Sequence, residues 1–297
     1  MLETEFDIIV IGSGPAGQKA AIQGAKSGKR VAMIERDQAV GGHCVHRGTI
    51  PSKTLRQNAL RISQLRKNQS FFSGNIRDDI AVASLIENLD TVIRSHDDYI
   101  NDQLSRNGVC HVHGQARFID KHNLNVRQPN GSETLLWGEN IIIATGSYPR
   151  NASNIELDHE HLLDSDSILS LAYLPRSLTV LGGGVIASEY ASIFLALGVQ
   201  VTMIDMYPRL LVFLNSDLTD KFIHYFEENG GRFIGGVEVE NAQWNGLDKV
   251  DTRLQDGRVI ESDKLLSAAG RVANIKGLDI EAAGVSVNDS GVISVDE

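Results

Sequence analysis

The apolar positions of this chain fall into runs of two periods, and their order along the sequence is regular. Residues 6–11 (FDIIVI) form a short apolar run that ends at glycines, as a buried strand does. Residues 17–28 carry Ala20, Ala21 and Ala25, small side chains suited to a closely packed helix, and residues 30–35 (RVAMIE) form a second strand-like run. Helical spacing returns over residues 52–68, with Leu55, Ala59, Ile62 and Leu65 on one face. It continues in a longer stretch with Val82, Leu85, Ile86, Leu89 and Ile93 three or four apart. Over residues 109–138 the pattern shortens to strand-like pieces, ARFI and NLNV, separated by DKHN and QPNG turns. Residues 140–144 (NIIIA) then predict a buried strand leading into Thr145-Gly146-Ser147. After a stretch with Pro, Asn and Asp at 149–166 the first pattern restarts: strand at 177–181, helix at 185–197, strand at 200–205.

The restart is an internal repeat of βαβ architecture. Gly12 and Glu35 are 23 residues apart, and so are Gly182 and Asp205. In each copy a glycine closes the first strand and an acid closes the second. Two accidental glycine clusters rarely agree in this way, so the chain is predicted to hold two tandem α/β domains, each sized for a dinucleotide.

Composition narrows the function classes. With 297 residues, 42% of them apolar, the chain is long enough for two globular domains. A net charge of −10 argues against a nucleic-acid partner, which needs clustered Lys and Arg. Anionic cofactors remain open, because backbone N–H groups at helix ends bind them locally. No run of 18 apolar residues predicts a membrane span, and the acidic N-terminus lacks the basic-then-apolar pattern of a secretory signal. Two cysteines, Cys44 and Cys110, make no disulfide framework, and a cytoplasmic location is expected.

Gly12-Ser13-Gly14-Pro15-Ala16-Gly17 is a GxGxxG fingerprint directly after a strand. Gly12 permits the tight turn, Gly14 leaves room for a pyrophosphate, Gly17 lets helix and strand approach, and Glu35 offers a carboxylate to ribose hydroxyls. Gly182-Gly183-Gly184-Val185-Ile186-Ala187 repeats the pattern, with Ala187 at the third small position and Asp205 as the acid. A carboxylate there favours a free 2′-hydroxyl over a 2′-phosphate by like-charge repulsion, hence NAD(H) over NADP(H). Arg209, four residues on, softens that bias if it reaches the phosphate; a solvated loop arginine is the equal alternative.

Between the first repeat and the helical insert lies Gly41-Gly42-His43-Cys44-Val45-His46-Arg47-Gly48-Thr49-Ile50-Pro51-Ser52-Lys53. This block resembles the flavoprotein disulfide reductases, the group of glutathione reductase and dihydrolipoamide dehydrogenase, whose members carry a CxxxxC pair before a proline and lysine. Here Thr49 stands at the second cysteine position, and a hydroxyl oxygen cannot exchange electrons through a disulfide. HRGTIPSK, DSDSILSL at 164–171 and GGGVIASEYASIFLALG at 182–198 are similar to the soluble, Si-specific pyridine nucleotide transhydrogenases, which share that threonine.

The resemblance implies an α/β fold of two Rossmann-like domains of the glutathione-reductase type, with a helical insert in the first. It implies an FAD-binding domain at 1–150, an NAD(P)-binding domain at 151–275 and the start of a return to the FAD domain at 276–297. It implies an FAD-dependent enzyme that moves hydride from NADPH through the flavin to NAD+, with FAD, NAD(H) and NADP(H) as cofactors. Lys53 is then expected near the flavin N5 region with Glu189 as its partner, and Cys44 and Thr49 at the reacting face. Gly42, Thr145, Gly146, Gly270 and Arg271 join the expected cofactor contacts. Relatives continue into a Gly-Asp motif and a dimerisation domain with a His–Glu pair, so the chain is expected to be a C-terminally shortened form of a homodimeric parent, its own oligomeric state open. The alternatives are a dihydrolipoamide-dehydrogenase-like disulfide oxidoreductase and a non-catalytic nucleotide-binding or redox-sensing fragment. Cys44 is equally readable as a small packing residue. His43, His46 and Cys44 crowd together without a third ligand cluster, and His111 and His113 alternate on a strand without a nearby acid, so no metal site is expected.

Overall fold

The computed structural model describes residues 4–68 and 82–296. Residues 1–3, which open the acidic N-terminal stretch, and residue 297 lie outside them. The chain divides into two compact units. The first comprises Met1–His46, Thr91–Tyr148 and Val272–Glu297, the second Arg47–Asp90 and Pro149–Arg271.

The first unit is built on strands β1 (Glu5–Ile11), β2 (Val31–Glu35), β3 (Cys110–His113), β4 (Gln115–Phe118), β5 (Asn123–Arg127) and β6 (Glu133–Ile143). They form one sheet in the order β3-β2-β1-β6-β5-β4. β1, β2 and β3 run parallel, as do β1 and β6, whereas β4, β5 and β6 form an antiparallel meander. Parallel neighbours require a crossover, which helix α1 (Pro15–Lys26) supplies between β1 and β2. Pro15 at its first position has no N–H to leave unsatisfied and starts the helix cleanly. The short helix α2 (Gly42–His46) follows, where sequence had suggested a loop into a helix.

Two cores hold this unit. Phe6, Ile9, Ile34, Leu124, Val126 and Leu136 pack on one side of the sheet, joined by Leu278 and Ile280 from the C-terminal segment. Val10, Ala21, Met33, Val45, Ile100 and Leu104 pack on the other. Arg117 pairs with Asp279 at 2.5 Å and the Phe118 amide donates to Leu278 O, so residues 272–296 are tied back to β4.

The second unit repeats the plan with β8 (Leu162–Asp164), β9 (Ser177–Leu181), β10 (Gln200–Asp205), β11 (Arg232–Gly235) and β15 (Lys264–Ser267), in the order β11-β10-β9-β15-β8, all parallel. Helix α5 (Val185–Ala196) crosses from β9 to β10, and α6 (Ser216–Glu228) from β10 to β11. α6 starts where the Asn215 side chain accepts the Asp217 amide, a side-chain cap at a helix N-terminus. β12 (Val239–Trp244), β13 (Val250–Leu254) and β14 (Val259–Ser262) form a three-stranded antiparallel sheet. β7 (Ser147–Pro149) and β16 (Arg271–Ala273) form a two-stranded ribbon.

One expectation needs correcting. Residues 140–144 are not a strand buried on both faces: they end the eleven-residue β6, where Ile141 and Ile143 reach the core and Ile142 is exposed. Side chains alternate along a strand, and only one face of this segment is covered. The first part of the helical insert shares its contacts with the second compact unit. Helix α3 (Thr49–Lys67) lays Leu55 and Ala59 into the core formed by Tyr190, Ala191 and Phe194 of α5, and Leu85 joins them. Helix α4 (Val82–Arg106) belongs by packing to the second unit up to Asp90 and to the first from Thr91.

Candidate functional site

Both glycine motifs build the same cradle, atom for atom. The Gly12 and Gly182 amides donate to Ile34 O and Ile204 O, each at 2.8 Å, which pins the end of the first strand to the second. Both glycines have positive φ, +106° and +110°, a conformation that L side chains rarely adopt. A Cβ at Gly12 would lie 2.4 Å from Ala144 O, and one at Gly182 would lie 2.6 Å from Ala268 O. At Gly17 it would lie 1.9 Å from Gly12 O, so α1 can approach the turn only without a side chain there. Ala187, completely buried, is the tolerated equivalent on α5.

Gly14 and Gly184 differ in kind. A Cβ on either meets nothing within 4 Å. Each is the residue before its helix, with extended backbone, so the space belongs to whatever sits at the helix N-terminus. The first-turn N–H groups there lack intrahelical partners and favour an anion. Gly42, with φ +60°, closes the first cradle: a Cβ on it would lie 2.9 Å from Gly14 Cα.

The two acids are held alike. Glu35 accepts the Ser13 amide at 2.9 Å, the Ser13 hydroxyl at 2.6 Å and the Asp37 amide at 3.0 Å. Asp205 accepts the Tyr207 amide at 2.7 Å and the Gly183 amide. In both, the partners are the second residue of the motif and the residue two beyond the acid. Burial pushes the Asp205 carboxyl above its ordinary value, and the Tyr207 and Gly183 amides oppose that rise. Ser13 went unread in sequence because a serine inside GxGxxG carries no spacing signal. Its hydroxyl also accepts the Gly41 amide at 3.0 Å and so ties the loop before α2 to the cradle.

Of the other expected contacts in the first unit, Thr145 O and Gly146 O follow β6 and accept from Asn274, at 3.2 Å from the side chain and 2.9 Å from the amide. Gly270 has φ +115° and accepts the Arg150 amide, and Arg271 opens β16. Arg209 lies in the loop after β10, about half exposed, with its Nε 3.3 Å from Asp220 Oδ1.

Lys53 and Glu189 meet in the second unit. Lys53 Nζ is 2.5 Å from Glu189 Oε1, which also accepts the Ser52 hydroxyl at 3.0 Å. The lysine side chain is 62% exposed and the carboxylate 20%, so the cation presents outward from a fixed base. Tyr190, next in sequence, has its phenol pushed well above the ordinary range by burial, with Glu189 adding to the effect. Thr49 starts α3 and is exposed, while Cys44 is half-buried in α2 of the other unit. The block 164–171 runs from the end of β8 into a short 3-10 helix at Ser167–Ser170: Asp164 accepts the amides of Asp166 and Ser167, and Asp166 lies 3.6 Å from Arg47. His46 Nε2 contacts Val40 O at 2.7 Å and His113 Nε2 contacts Arg36 O at 3.1 Å. Among the described residues, no three His, Cys, Asp or Glu side chains are grouped to hold a metal, and no helix is long and apolar enough to cross a membrane.

Two βαβ units, each with open space before a helix N-terminus and an acid at the end of its second strand beside the glycine turn, define a tandem dinucleotide-binding architecture. The chain belongs to the pyridine nucleotide-disulphide oxidoreductase family, whose pattern matches residues 6–297. It is 38% identical over 293 residues to the soluble pyridine nucleotide transhydrogenase of Colwellia psychrerythraea and 40% identical over 295 residues to that of Mycobacterium tuberculosis. In each case 99% of this chain and 63% of the relative are covered. Among solved structures it is similar to LpdA from Mycobacterium tuberculosis, with TM-score 0.90 and 26% identity over 99% of this chain and 64% of that one. It is also similar to the flavoprotein disulfide reductase RclA from Escherichia coli, with TM-score 0.82 and 29% identity over 98% and 62%. The chain thus spans a little under two thirds of the length of these relatives.

Proposed function

We propose that the first unit binds FAD, that the second binds a nicotinamide dinucleotide, and that together they carry the hydride-transfer chemistry of a soluble transhydrogenase, from NADPH to NAD+. The observation that carries this reading is Thr49 at the place of the second redox cysteine, four residues before a lysine whose carboxylate partner is in place. Likeness to named transhydrogenases supports it independently.

The residues fit the cofactor. The open space at Gly14 suits a pyrophosphate at the N-terminus of α1. Glu35 has three donors in place, and a carboxylate has about four acceptor positions, which leaves capacity for a ribose hydroxyl. When bound, FAD supplies the ring that takes up and returns the electron pair. Lys53 supplies a positive charge to compensate negative charge developing on a bound partner, and Glu189, itself fixed by Ser52, holds the ammonium in one place. In the second unit, the open space at Gly184 would take the nicotinamide dinucleotide's pyrophosphate, and Asp205 would meet its adenosine ribose.

A disulfide reductase would need a second thiol near Cys44. Cys110 lies on β3, its Cα paired across the strands with Ala32, and the CxxxxC position holds Thr49. The test is Cys44→Ser in the FAD-loaded chain. Retained NADPH-dependent transfer to NAD+ is expected, and complete loss of transfer with FAD still bound would contradict a non-redox Cys44.

A further inference from the structure

A transhydrogenase must admit both NAD(H) and NADP(H), yet Asp205 repels a 2′-phosphate. Resting on the reading of residues 182–205 as the nicotinamide dinucleotide site, we propose that Asp220 is a positioning residue that sets the discrimination between the two nucleotides by holding Arg209. Arg209 is the first cation after Asp205 along the chain. The segment that carries it is pinned to the cradle on both sides. The Tyr207 amide donates to Asp205 and Tyr207 O accepts the Gly236 amide. Two residues past the arginine, the Leu211 amide donates to Gly183 O at 2.7 Å, and Leu210 between them is fully buried. Arg209 is therefore anchored beside the turn that would receive the ribose, while its guanidinium is drawn away to helix α6. There its Nε lies 3.3 Å from Asp220 Oδ1 and a terminal nitrogen lies 3.5 Å from Oδ2.

Both partners are about half exposed, 49% for Arg209 and 56% for Asp220. An ion pair in water at that exposure is weak and exchanges readily. A 2′-phosphate carries more charge than a carboxylate and matches the guanidinium fork, so it competes for Arg209. With NAD(H), Arg209 stays on Asp220 and Asp205 meets the ribose diol. With NADP(H), Arg209 leaves Asp220 and offsets the repulsion from Asp205. The strength of the Arg209–Asp220 pair is then part of the cost of binding the phosphorylated nucleotide.

Equilibrium titration of the chain with NADPH and NADH tests this through the ratio of their Kd values. Asp220→Asn is expected to shift that ratio at least threefold toward NADPH, and Asp220→Glu to leave it near the starting value. Arg209→Gln is expected to shift it toward NADH. In the Arg209→Gln background, Asp220→Asn should change nothing further. Asp217→Asn, an acid on the same helix without this pair, controls for the general field and should not move the ratio. A ratio unchanged by Asp220→Asn, or a shift that persists without Arg209, overturns the inference while both nucleotides still bind. Failure of the unsubstituted chain to bind either nucleotide overturns the site reading and this inference together.

Discussion

Gly12 and Gly14 stand two residues apart in one turn and are expected to respond to the same substitution in opposite ways. Gly12→Ala places a Cβ against Ala144 O at positive φ, so it should lower folding stability by about 2 kcal/mol or more, seen as a fall in Tm. Gly14→Ala puts its methyl into open space on a backbone any residue adopts, so stability should change by about 0.5 kcal/mol or less. Its effect should fall on FAD affinity, measured by flavin retention after gel filtration. Equal loss of Tm in both variants would show that the space at Gly14 is structural. Lys53→Gln should slow anaerobic flavin reduction by NADPH on the order of tenfold to a hundredfold, the range for losing one fixed charge at a reacting centre. At this scale the sequence was legible wherever chemistry fixes a spacing: the glycines, Glu35, Asp205 and Lys53 stand where their motifs put them. Ser13 and Asp220 were not legible. The first sits at a variable motif position, and the second acts from another element, eleven residues beyond the arginine it holds.

Helix α3 shows that an element can be legible while its packing partner is not. Its apolar stripe at Leu55 and Ala59 predicts an amphipathic helix, but periodicity says nothing about which sheet the stripe will meet. The deciding contacts are polar. Arg66 donates to Leu197 O at 2.6 Å, and Gly198 leaves the room, since a Cβ there would lie 2.8 Å from the guanidinium. Asn58 donates to Leu85 O and Arg56 to Ser192. Arg66→Ala removes a charged donor from the carbonyl end of α5 and should cost about 1–2 kcal/mol, measured as a fall in denaturant midpoint. The isoleucine run of β6 misled in the same way, because composition does not report whether both faces of a strand are covered. The turn before β8 adds a pH-dependent contribution. Burial raises the Asp158 carboxyl, but the amides of Leu162, Glu160 and His161 outweigh it and hold the pKa at about 2. The folded value lies below the unfolded one, so this stabilisation is present above about pH 4 and lost as pH falls toward 2. Asp158→Asn should therefore flatten the acid limb of the Tm-versus-pH curve, and an unchanged limb would place acid sensitivity elsewhere.

For the molecule as a whole, the repeat is the organising fact. Two units share the same glycine turn, the same 23-residue spacing and an acid that accepts the amide two residues on, and under the proposed function each binds one dinucleotide there. A net charge of −10 does not oppose this, because the proposed binding groups are backbone amides at helix ends rather than surface cations. The sequence made the two-domain plan legible through the repeat. It did not reveal that α3 packs on α5, because that choice depends on side-chain partners more than a hundred residues away. Under the proposed function, one flavin serves two nicotinamide nucleotides without a disulfide between them. The direct measurement is stopped-flow absorbance of the FAD-loaded chain, mixed anaerobically with NADPH and then with NAD+. Loss of the oxidised flavin band is expected in the first mixing and its return in the second, with NADH formed in equal amount. A flavin that is bleached by NADPH and restored by a small disulfide but not by NAD+ would contradict it.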